Sequence, residues 1–180
     1  MQERVPALVF TVRSHLYGLL QDGGTALLPW LQRYAAPGAI PGVPSWMLGL
    51  LNVQGTVQAI VDLGAFLGLG ASAPNDHARL IFVEREELRV GLLVDSTTGI
   101  RYFDAVDYGS YDVAEPLIAG AATCNGQRVR VLDGAALIDA LARGLESPHS
   151  EGIDRWRDSA YGEKEADRWR DSAYGGGEHR

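Results

Sequence analysis

Lysine is almost missing from this chain, with Lys164 the only one, and cysteine is as scarce, with Cys124 alone. A single cysteine excludes an internal disulfide and suits a reducing compartment, so a cytoplasmic protein is expected. The four histidines (15, 77, 149 and 179) stand apart from one another and from Cys124. No HxxxH, CxxC or HxxE spacing occurs, so no metal site is expected. Despite 22 glycines there is no GxGxxG or P-loop string ahead of a helix. Long apolar runs are lacking too. Spanning a bilayer takes about 20 such residues, and the nearest approach, Ala26–Leu31, is interrupted by Pro29. The first six residues do not have the basic-then-apolar form of a secretory leader. Neither membrane insertion nor export is expected.

Positive charge is sparse. The net charge is −7, of which −5 falls on residues 1–150 (ten arginines, fifteen acids) and −2 on residues 151–180. With no basic stripe the chain would forgo the phosphate attraction that supplies most nucleic-acid affinity, so nucleic acid is not an expected partner. The acids at 104, 107, 112 and 115 share a stretch with Tyr108 and Tyr111 and read as a solvated loop. A nucleophile with its base and orienting group is not legible anywhere, and no enzymatic activity or cofactor is expected.

What the chain does have is concentrated in residues 41–70. This segment reads as a Pro-bounded loop, a short apolar turn from Ser45 to Leu51, a tight turn at Gln54-Gly55, a strand Thr56–Val61 and a helical turn capped by Asp62. It holds no His, Cys, Lys or Arg, which suits a surface or a core better than a catalytic centre. The same pattern returns 71 residues later: Gly49, Gly55, Asp62, Ala65, Phe66 and Leu67 correspond to Gly120, Gly126, Asp133, Ala136, Leu137 and Ile138. Asn125-Gly126 is a type I′ hairpin signal, because both central positions need positive φ. Asp133 is placed to cap a helix over 134–143. Two related half-units follow from this echo.

The phrase Pro44-Ser-Trp-Met-Leu-Gly-Leu-Leu-Asn-Val-Gln-Gly-Thr-Val-Gln-Ala-Ile-Val-Asp-Leu63 resembles the CheW-like domain of chemotaxis signalling. Support comes from Leu8–Val12 before Tyr17-Gly18, from Val90–Asp95 and from Val131-Leu-Asp133, so the resemblance covers residues 6–145. It implies a mostly β fold of two related five-stranded barrel half-units, with short helices. The expected organisation is a CheW-like domain over 1–146, its half-units meeting near 70–78, and a flexible tail over 147–180. The resemblance also implies a signalling adaptor between a methyl-accepting chemoreceptor and a CheA-type histidine kinase. By motif position Asn52, Gln54, Gly55 and Val57 sit where the family approaches receptors, with Leu93 and Val94 on the opposite wall of a groove. Core packing is the competing reading for the apolar members. Two departures stand out: Gln54 occupies the family's Arg position, and Ala59 its Pro position. Glutamine cannot reproduce a charged five-donor fork. An alternative is therefore a diverged module that has lost receptor binding.

Beyond Glu146 the composition changes to linker chemistry, and then Asp154-Arg-Trp-Arg-Asp-Ser-Ala-Tyr-Gly162 recurs without change at 167–175. On one ideal helix a 13-residue period would set Trp156 and Trp169 about 140° apart, so a single amphipathic helix is disfavoured. Two short peptides carrying Trp156, Tyr161, Trp169 and Tyr174 suit recruitment of a further partner by the tail. Duplication without a selected role is the competing explanation.

Overall fold

The structure, a computed structural model, describes residues 4–20, 26–108 and 115–146, with the side chains of 26–31 and 146 left aside. Eleven strands and two helices follow in order: β1 (Val5–Val12), β2 (His15–Leu20), β3 (Ala26–Arg33), β4 (Met47–Val53), β5 (Thr56–Asp62), α1 (Leu63–Phe66), β6 (Arg79–Arg85), β7 (Leu88–Val94), β8 (Ser96–Phe103), β9 (Asp107–Tyr108), β10 (Ile118–Cys124), β11 (Gln127–Leu132) and α2 (Gly134–Glu146). They build two curled sheets, ordered β3-β6-β7-β5-β4 and β8-β1-β2-β11-β10-β9.

The echo in the sequence is an echo in space. Setting β3 on β8, β6 on β1, β7 on β2, β5 on β11 and β4 on β10 makes the two orders coincide, with β9 as an extra two-residue edge. Each unit holds a parallel pair at matching register, Ala59 opposite Val90 in one and Arg130 opposite Tyr17 in the other. Gly49 and Gly120 both sit where the hairpin register shifts. A Cβ on Gly49 would run into the Gly38 carbonyl, and one on Gly120 into the Asp107 carbonyl. Glycine is therefore demanded twice by the same close approach of backbone.

The expected division near 70–78 does not separate the sheets. Those residues join α1 to β6 within one sheet, and the chain changes sheet between Leu20 and Ala26 and again between Val94 and Ser96. The N-terminal hairpin β1–β2 thus completes the unit whose other strands come from the far half of the chain. One local reading also changes. The stretch from Ser45 to Leu51, expected as a short apolar turn, turns only at its start, where Met47 N–H donates to the Pro44 carbonyl at 2.9 Å, and continues as the strand Met47–Val53. Ser96–Gly99 belongs to β8 and bulges against β1 between Val9 and Phe10. Pro29 lies inside β3, where pairing with β6 slips between Leu27 and Leu31. A residue without an N–H is tolerated at such an irregularity on a sheet edge.

Alternation divides the buried residues. Ala7 and Val9 of β1 join Leu20, Phe103, Ala122, Val129 and Val131 in one barrel core, while Val53, Ile60, Ala78, Leu80, Phe82 and Leu93 fill the other. The intervening Leu8, Phe10 and Val12, and likewise Val90, Leu92 and Val94, are buried as well. Central strands β1 and β7 are covered on both faces and lie against each other. Trp46 is buried, edge-on to Phe66. Helix α2 reaches the same ring, because a Cβ on Gly144 would stand 2.7 Å from it. Arg85 of β6 adds a salt bridge to Asp139 of α2, and burial notwithstanding, that carboxylate raises the guanidinium pKa. Among the described residues no helix is long and apolar enough to cross a membrane.

Candidate partner-binding hairpin

The β4–β5 hairpin closes through Gln54 (φ 51°) and Gly55 (φ 86°), both left-handed, as a two-residue turn matched to strand twist requires. Asn52 helps to hold it: its Oδ1 accepts from the Gly55 N–H at 2.9 Å. A non-glycine residue at positive φ is strained, and the bond from the side chain three residues before Gly55 offsets part of that strain.

Pairing decides which side chains share a face. Asn52 stands opposite Val57, and Leu50 opposite Ala59, so these four lie on one side of the hairpin. Val53 and Ile60 point the other way into the barrel core. The outward side is open: Val57 is 62% exposed and Leu50 39%. Because β4 is the sheet's edge, met among the described residues by the bridge from Gly38 to Leu50, this apolar strip lies at the margin of the sheet. The structure thus brings together Asn52, Gln54, Gly55 and Val57, all exposed at one hairpin end, and adds Leu50, which sequence pattern alone assigned to an apolar turn.

Leu93 and Val94 do not join them. Their exposures are 1% and 0%: Leu93 fills a barrel core, and Val94 is buried on the opposite face of the same central strand. Neither can line a docking groove, because a strand flanked by β6 and β5 and covered on both faces offers partners no side chain. The tail residues Trp156, Tyr161, Trp169 and Tyr174 lie outside the described residues.

Two features behind the hairpin escaped the sequence pattern. Gln58 faces inward and is 2% exposed, and neither Nε2 nor Oε1 finds a hydrogen-bond partner. Asp62 does more than cap. Its carboxylate accepts from Ala65 N–H (3.1 Å), Ser72 N–H (2.6 Å) and Ser72 Oγ–H (2.7 Å), which ties the connection after α1 to the end of β5. Its counterpart Asp133 accepts from Ala136 N–H (2.9 Å), the cap bond shared by both units. No group of three or more His, Cys, Asp or Glu placed to hold a metal occurs among the described residues.

Comparison with known proteins agrees with this architecture. The family model for the CheW-like domain matches residues 6–142. The chain is 38% identical over 64 residues to Protein PilI of Pseudomonas aeruginosa, covering 36% of each protein. It is 27% identical over 93 residues to Chemotaxis protein CheW of Bacillus subtilis, covering 52% of this chain and 57% of that one. These matches therefore span from about a third to just over half of the relatives' length. Among solved structures the scaffolding protein TtCheW of Thermoanaerobacter tengcongensis superposes with a TM-score of 0.62 at 20% identity, covering 74% of this chain and 86% of that one, a likeness of fold. With the glycine-dependent hairpins, the paired aspartate caps and the two interlocked sheets all inside the matched span, the chain belongs to the CheW-like domain family.

Proposed function

We propose that this protein is a non-enzymatic adaptor of chemotaxis-type signalling, coupling a chemoreceptor to a CheA-type histidine kinase. The observation that carries the reading is the open apolar face of the β4–β5 hairpin, where Leu50 and Val57 flank Asn52 at the motif position the family turns toward receptors. Apolar side chains held on a rigid two-stranded edge suit recognition of the apolar stripe of a helix, in which anchors recur every third or fourth residue. Membership of a family of scaffold proteins supports the same reading. So does the use of the aspartates at 62 and 133 as caps, which gives them structural employment.

Co-purification with a CheA-type kinase and its receptor tests the proposal. Capture of both is expected, and failure to capture either would refute the adaptor role. A second reading is favoured by Gln54, which replaces the family's Arg, and by the repeated tail: a diverged module that recruits another partner through residues 147–180. Comparing the full chain with a version ending at Glu146 separates the two. Restoring the guanidinium with Gln54→Arg is the sharper probe, since improved receptor capture would mean that this contact has decayed.

A further inference from the structure

Ionisable side chains are missing from Ala35 to Val61, although charged residues make up 22% of the chain. The β4–β5 hairpin therefore carries no charge of its own. The backbone does not demand this. Aligning the parallel pairs Ala59–Val90 and Arg130–Tyr17 sets Arg128 and Arg130 of the other sheet on the positions of Val57 and Ala59, so an equally regular hairpin accepts cations there. What the β4–β5 hairpin exposes instead is Leu50, Val57 and, at its tip, the side-chain amide of Gln54.

The neighbouring β6–β7 turn adds acids without an unheld cation. Extending the β5–β7 register back from Ala59 and Val90 brings Thr56 level with Glu87, and both Glu86 and Glu87 are exposed. Adjacent strands run about 4.8 Å apart, so the two turns are neighbours. Arg85 and Arg89 flank the acidic turn, but Asp139 holds the first and Glu84 holds the second through bonds of 2.8 and 3.2 Å. Arg89 and Glu84 also alternate with Leu93 and Phe82 on the inward side of their strands, away from the outward face of the hairpin. With Arg85 and Arg89 set against Glu84, Glu86, Glu87 and Asp139, this end keeps an excess of negative charge.

We propose that the hairpin selects a partner helix whose contacting stripe is apolar and free of carboxylates, with an amide or hydroxyl meeting Gln54. The inference rests on the reading of this hairpin as the partner face and adds the chemistry of what it accepts. A carboxylate seated against Leu50 and Val57 loses hydration without gaining a counter-charge, and Glu86 and Glu87 repel it. A neutral polar group is matched by Gln54, whose amide both donates and accepts. Discrimination thus comes from what the hairpin lacks, while Leu50 and Val57 supply the apolar contact.

The test uses the full chain and a fluorescent, helix-constrained peptide with leucine at i, i+3 and i+7, followed by anisotropy in moderate salt. Position i+4, on the same helix face, is glutamine, glutamate or lysine. Saturable binding of the glutamine peptide is expected, weakened at least about tenfold by glutamate. The lysine peptide should bind at least about threefold more tightly than the glutamate peptide, because the field at this end is negative. Gln54→Arg supplies the missing counter-charge and should narrow the gap between glutamine and glutamate at least about threefold. Glu86→Gln combined with Glu87→Gln should act in the same direction without touching the hairpin, which decides the matter if the Gln54 variant melts lower. Equal binding of the glutamate and glutamine peptides, equal binding of glutamate and lysine, or a gap that neither set of changes narrows would overturn the proposal. Val57→Asp separates it from the reading beneath. Loss of glutamine-peptide binding in that variant keeps the hairpin as a partner face whatever its selectivity, whereas undiminished binding, or no saturation at millimolar peptide, removes both.

Discussion

Asp62 and Asp133 occupy matching caps, yet removing their carboxylates should have unequal effects. Each accepts one helix N–H, from Ala65 and Ala136 respectively. A cap bond of this kind contributes about 1 kcal/mol. Asp62 is also 2% exposed and takes two further bonds from Ser72. Bonds to a charged acceptor contribute about 1.5–3 kcal/mol each and do not add fully, while the buried carboxylate carries a desolvation cost. Asp62→Ala also leaves the Ser72 N–H and hydroxyl without their acceptor. Expected losses are therefore about 1 kcal/mol for Asp133→Ala and about 3 kcal/mol for Asp62→Ala. At about 2–4 °C per kcal/mol, the two variants should melt roughly 5 °C apart. Urea unfolding followed by tryptophan fluorescence and far-UV circular dichroism measures the difference, provided the two probes coincide. A cycle with Ser72→Ala should show coupling to Asp62 of at least about 1 kcal/mol and none to Asp133. Equal losses, or no coupling, would refute the assignment of Ser72 as the source of the asymmetry.

Three other perturbations are informative. Gln58→Leu removes a buried amide with no hydrogen-bond partner, so a gain of about 1–2 kcal/mol is expected in urea unfolding, and a loss of that size would show that the amide is satisfied in solution. Gly120→Ala drives a methyl group into the Asp107 carbonyl and should cost about 1–3 kcal/mol, measured by thermal melting, with an unchanged melting temperature arguing against the close approach. Val57→Asp alters a side chain that is 62% exposed, so stability should hold within about 0.5 kcal/mol while receptor capture in co-purification drops, and undiminished capture would remove the hairpin face from the proposed interface.

Much of this protein is decided by short-range chemistry that can be read residue by residue. Left-handed turn positions at Gln54-Gly55 and Asn125-Gly126, aspartates ahead of both helices and short unbroken apolar runs along β1, β6 and β7 each specify a local conformation without reference to the rest of the chain. The 71-residue echo then reveals that one plan was used twice. Which strands share a sheet is a different matter. Residues 5–20 complete the sheet of residues 96–132 through pairings such as Tyr17 with Arg130, and a ladder between distant segments leaves no local mark in either strand. The same limit left the choice between groove and core open for Leu93 and Val94, which the structure decides for the core, and hid the inward-facing amide of Gln58 and the reach of Ser72 to Asp62. An apolar or polar side chain announces its chemistry in the sequence, but only packing decides whether that chemistry faces a partner, the core or another part of the same chain.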